Sequence, residues 1–60
     1  MSSRSKLKRA LGALDDATTS LRRALQQSDN DSADYIRRAI SDLEDAENSI
    51  KRAIRELPTD

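Results

Sequence analysis

The sequence predicts an all-α fold: an antiparallel helical hairpin, with helices near 4–27 and 32–57, that assembles as a homodimeric four-helix bundle. Three observations predict it. A five-residue unit recurs four times, as Leu7-Lys8-Arg9-Ala10-Leu11, Leu21-Arg22-Arg23-Ala24-Leu25, Ile36-Arg37-Arg38-Ala39-Ile40 and Ile50-Lys51-Arg52-Ala53-Ile54. The copies start 14, 15 and 14 residues apart, which is two heptads each time with one slip. The 60 residues include no cysteine and no histidine, and the large aliphatic set is seven leucines and four isoleucines. Chains this small need a disulfide, a metal or a partner, and a second copy is the route left.

The first element begins near Ser2, Ser3 or Ser5, whose oxygens can cap the free amides of a first turn. Leu7, Leu11, Leu14, Thr18, Leu21 and Leu25 then alternate spacings of four and three, a heptad seam. Gly12 falls on the outer surface, where it costs about 1 kcal/mol against alanine without ending the helix. Residues 26–32 carry no apolar side chain, and Asp29, Asn30 and Asp31 compete with the helix for backbone hydrogen bonds. A turn is expected at 28–32, with Asp31 or Ser32 capping the second helix. Its seam runs Ile36, Ile40, Leu43, Glu47, Ile50, Ile54 and Leu57, and Pro58 stops it.

The chain reads as one domain, 1–60, containing a duplication: a shift of 29 lays 6–27 on 35–56 with identities such as Leu14/Leu43, Ala17/Ala46 and Ser20/Ser49. It is one helix repeated, giving a hairpin rather than a solenoid. Layers of the antiparallel pair are then Leu25/Ile36, Leu21/Ile40, Thr18/Leu43, Leu14/Glu47, Leu11/Ile50 and Leu7/Ile54.

One flank of this seam is small throughout: Ala10, Ala17 and Ala24 on the first helix, Ala39, Ala46 and Ala53 on the second. Those alanines, with Leu14, Leu21, Ile40, Leu43 and Ile50, are the expected dimer interface, because small residues let a second hairpin approach closely. The other flank sets Arg22 opposite Arg37, Asp15 opposite Glu44 and Lys8 opposite Lys51, so like charges meet. On the second helix Asp34–Arg38, Arg38–Asp42, Glu47–Lys51 and Arg52–Glu56 can pair locally; the first helix offers no such pair. Arg9, Asp15, Asp16, Arg22 and Arg23 are therefore the candidate surface for another protein. Thr18 and Glu47 interrupt the seam in neighbouring layers. Glu47 either turns to Lys51 or forms with Thr18 a polar core layer that fixes register and oligomer state.

Chemistry for catalysis is missing from this composition. One carboxylate at a seam position, with no histidine, cysteine or second converging acid, makes no general acid–base pair, so no enzyme, cofactor, metal or small-molecule substrate is expected. Eleven basic residues balance eleven acidic ones, so no net attraction to nucleic acid or an anionic membrane arises. No apolar run approaches the ~20 residues of a membrane span. Residues 1–6 lead into no continuous apolar region either, and a cytoplasmic location is the expectation.

The leading function is thus a non-enzymatic regulatory or adaptor module that binds itself and another protein. The length, two-helix layout and polar turn also resemble Rop-type RNA-binding hairpins, which dimerise into antiparallel four-helix bundles. The alternative this implies is RNA or DNA binding. The antiparallel fold would gather Arg4, Lys6, Lys8 and Arg9 beside Lys51, Arg52 and Arg55 at the open end for that purpose. A purely structural or engineered coiled-coil module is the third reading.

Overall fold

A computed structural model describes residues 2–58 and consists of two helices, α1 from Ser3–Gln26 and α2 from Asn30–Glu56. The hairpin is an all-α, antiparallel pair. Its Cα extents are 46 × 16 × 10 Å, and its radius of gyration is 14.1 Å. A compact chain of this length would have about 10 Å. The hairpin is therefore a single layer of helices, whereas a domain ordinarily buries its apolar stripe between two.

Ser2 caps α1, its hydroxyl oxygen accepting the Ser5 amide at 3.1 Å. The first turn holds no acid, and Arg4 and Lys6 stand near the positive end of the helix dipole. The antiparallel pairing relieves this, because α2 ends beside α1's start. The Arg4 guanidinium reaches the Leu57 carbonyl at 3.5 Å, placing a cation against the carbonyl-rich end of α2.

The turn is shorter than the sequence suggests and its cap lies earlier. Only residues 27–29 lie outside helix, and Asp29, not Asp31 or Ser32, caps α2. Its carboxylate accepts the Ser32 amide at 2.8 Å, and its carbonyl accepts the Ala33 amide at 2.9 Å. Asp31 consequently falls in the first turn, where the dipole favours an acid. The early start also brings Ala33 into the seam one heptad before Ile40, and Ala33 is buried. On the α1 side, the Ser28 hydroxyl donates to the Ala24 carbonyl at 2.6 Å and the Gln27 amide to the same oxygen at 3.1 Å. Every φ in the connection is negative, so it needs no glycine. At the far end α2 stops at Glu56, because Leu57 precedes Pro58 and is held extended at φ −67°, ψ 124°.

The core is small. Ile40 and Ala33 are its buried apolar residues among those described, and the most buried residue is polar, Thr18 at 3 % exposure. The other ten leucines and isoleucines are all half-buried.

Asp29 supplies a pH-dependent test of the turn. The Ser32 amide, and then the Ser32 hydroxyl, hold its carboxyl below the ordinary value of 3.8. A carboxyl lowered in the fold stabilises it above its unfolded pKa, and this is lost as pH falls through the folded value. Asp29→Ala is expected to lower the melting temperature by a few degrees at pH 7. Asp29→Asn, which still caps, should lose less. The gap between wild type and Asp29→Ala should narrow below pH 4, read by circular dichroism melts across pH 2–7.

Candidate interaction surface

Four features of the hairpin can meet a partner: the seam, its alanine flank, its charged flank and the basic ends. On the alanine flank Ala24, Ala39 and Ala46 are half-buried, while Ala10, Ala17 and Ala53 are exposed. Leu14, Leu21, Leu43 and Ile50 stand half-buried beside them, and Ile40 is buried. Nothing larger than a methyl group rises along this edge of the seam at those six positions.

The charged flank differs from the like-against-like expectation. Arg22 does not face Arg37; its guanidinium bonds Glu44 across the hairpin at 2.6 Å. The cause is the lean of helical side chains. Cα–Cβ bonds tilt toward each helix's own N-terminus, away from the turn on α1 and toward it on α2. A long side chain on α1 therefore meets one farther along α2 than equal height would suggest. Arg37 instead bonds Asp34, three residues back, at 3.2 Å. These are the two ion pairs among the described residues, so the four local pairs expected on α2 do not form. Arg22 also leaves the set of unengaged helix-1 charges; Arg9, Asp15, Asp16 and Arg23 stay exposed and outside any ion pair among the described residues.

The same lean brings Thr18 and Glu47 together. The Thr18 hydroxyl lies 2.9 Å from the Leu14 carbonyl and 3.4 Å from Glu47 Oε1. Its single proton serves the shorter bond, and the carboxylate is a second, weaker acceptor. No ion pair joins Glu47 to Lys51, although both line one groove with Lys8, Leu11, Gly12 and Asp15, of about 370 Å³. At the open end Lys6, Lys8, Arg9, Lys51, Arg52 and Arg55 are exposed, while Arg4 is turned to Leu57. Tyr35 is exposed on α2.

Among the described residues no three His, Cys, Asp or Glu side chains converge as a metal site, and no helix is long and apolar enough to cross a membrane. Comparison of the chain with protein-family models, with curated proteins and with solved structures found no match. Two features of the hairpin lie outside what the sequence led us to expect. Ala33 was detectable by counting one heptad back from Ile40. The Arg22–Glu44 bond required the tilt of the side chains, which heptad position does not encode.

The Thr18–Glu47 layer is expected to trade stability for specificity. Thr18→Val alone removes the hydroxyl facing a carboxylate and should cost about 1 kcal/mol. Thr18→Val with Glu47→Leu makes the layer apolar and should add about 1–2 kcal/mol, from a few more buried CH₂ groups. The double variant is also expected to populate more than one oligomeric species. Urea denaturation and sedimentation velocity read the two effects separately.

Proposed function

We propose that this chain is a non-enzymatic assembly module. A second copy covers the half-buried seam along the alanine flank, closing a homodimeric four-helix bundle. That bundle then acts as a regulatory or adaptor protein through the exposed charges of α1. The observation that carries the reading is the seam itself: ten of eleven large aliphatic side chains are only half-buried in the hairpin.

Area supports the same reading. The hairpin exposes 4600 Å². A compact monomer of 6.7 kDa exposes about 3,900 Å². The excess, about 700 Å², approaches the ~800 Å² that each partner contributes to an interface of standard size. The alanine flank is the edge where helices can come closest, and the Arg22–Glu44 bridge lies on the opposite edge. Engagement of Arg22 with Glu44 and of Arg4 with the Leu57 carbonyl also favours protein contacts over phosphate contacts.

Ala17→Arg or Ala46→Arg is expected to dissociate the bundle, since a long cation in a close alanine contact costs about 2 kcal/mol or more through overpacking and desolvation. Asp45→Arg, on the outer surface of α2, should leave the mass unchanged. Sedimentation velocity at micromolar concentration distinguishes them, and a wild-type monomer, or equal effects of both changes, contradicts the reading. For the adaptor role, reversal of Arg9, Asp16 and Arg23 is expected to abolish capture of a partner protein by the immobilised bundle. Equal capture by both forms would remove this surface.

A further inference from the structure

Gly12 is the centre of a charge-inverted segment. Lys8 and Arg9 lie four and three residues before it, and Asp15 and Asp16 lie three and four after it. On an α-helix those four positions surround residue 12, because residues three and four apart are surface neighbours. Two copies laid antiparallel about a two-fold axis through Gly12 set the basic pair of each against the acidic pair of the other. The patch is complementary to itself, as an isologous contact requires.

Three observations single out this patch on α1. The duplicated segment of α2 carries the same pattern, with Arg37, Arg38, Glu44 and Asp45 around Ser41. There, however, Arg37 is bonded to Asp34 and Glu44 to Arg22. On α1 all four charges are exposed and outside any ion pair among the described residues. Space is the second observation: a Cβ built on Gly12 meets nothing within 4 Å. The third is the groove beside it, which repeats the inversion across both helices. Lys8 and Lys51 stand toward its open end, Asp15 and Glu47 toward the turn, and Leu11 lines it.

We propose that a second copy of this chain docks here, α1 against α1, antiparallel and crossing at Gly12. With no side chain at the crossing, the helix axes approach to the short end of the usual 8–10 Å range. That closeness brings Lys8 and Arg9 within reach of the copy's carboxylates. The contact needs only the hairpin and is separate from the alanine flank; it shares Arg9, Asp15 and Asp16 with the surface proposed for another protein, so a docked copy and that protein compete for it. Where both form, it joins one four-helix bundle to the next, closing into a tetramer if the two axes meet at right angles.

Charge-swap complementation tests it, with association constants measured by sedimentation velocity at ~50 and ~500 mM salt. Lys8→Glu with Arg9→Glu makes the patch wholly acidic, and Asp15→Lys with Asp16→Lys makes it wholly basic. Each pair is expected to weaken the salt-sensitive association at least about tenfold while leaving the helical circular dichroism unchanged. A one-to-one mixture of the two, and the fourfold variant, are both expected to recover wild-type association at low salt. Gly12→Leu should block the approach yet raise the melting temperature, because it gains helix propensity in open space. Association untouched by either pair of swaps, or not recovered by the mixture and the fourfold variant, overturns the proposal. If Ala17→Arg abolishes all association and the swaps none, the Gly12 contact is overturned and the alanine flank stands. The reverse pattern supports the Gly12 contact and removes the alanine flank.

Discussion

Two helices cannot close the apolar stripe that this chain carries on each of them. A helix that packs in a core presents a stripe about 100° wide or more, and a single neighbour covers only part of it. The hairpin shows the consequence directly. Thr18, Ala33 and Ile40 are buried, and every other leucine and isoleucine is half open. The rest of the architecture answers that deficit. Alanines occupy the edge along which more surface can be covered, and the charges other than Glu47 in the seam and Arg4 beside Leu57 lie on the opposite edge and the outer faces.

A seam built from one unit repeated four times has a second problem, which is register. Sliding one helix past the other by a heptad would again set leucine against isoleucine, with little loss of apolar contact. Two features oppose the slip. The connection spans only residues 27–29 and is held at both ends, by Ser28 on the Ala24 carbonyl and by Asp29 on the Ser32 amide. The polar pair Thr18 and Glu47 occurs at one height in the seam, so a slip would place the carboxylate against aliphatic side chains. Arg22–Glu44 adds a third tie across the hairpin, a modest one because both side chains remain about half exposed.

Much of this was legible in the sequence, and the reasons are physical. Both helices and their antiparallel order follow from a 3.5-residue period interrupted once by polar residues. Periodicity says where apolar side chains face, and it reads best where the pattern is long. It reads poorly at ends, where Asp29, Asp31 and Ser32 are all competent caps and tertiary burial of Ala33 decides among them. It also treats a helix as a cylinder of positions and so misses that side chains lean. That lean replaced the expected Arg22/Arg37 and Asp15/Glu44 contacts with the Arg22–Glu44 bond, while Lys8 and Lys51 still line one groove, and it brought Thr18 to Glu47. The candidate interaction surface was legible only as composition: small residues on one edge, charges on the other. What distinguishes the Gly12 patch from its duplicate on α2 is which charges are already engaged, and that is a property of the folded hairpin.

The central claim is that the seam is completed by another copy of the chain, so folding and association are one equilibrium. Urea denaturation at two protein concentrations a factor of ten apart measures this most directly. For a dimer that unfolds to two separate chains, tenfold dilution lowers the apparent unfolding free energy by about 1.4 kcal/mol and moves the midpoint to lower urea. That shift is the expected result. A cooperative transition whose midpoint is the same at both concentrations, from a particle with the mass of one chain, would contradict it.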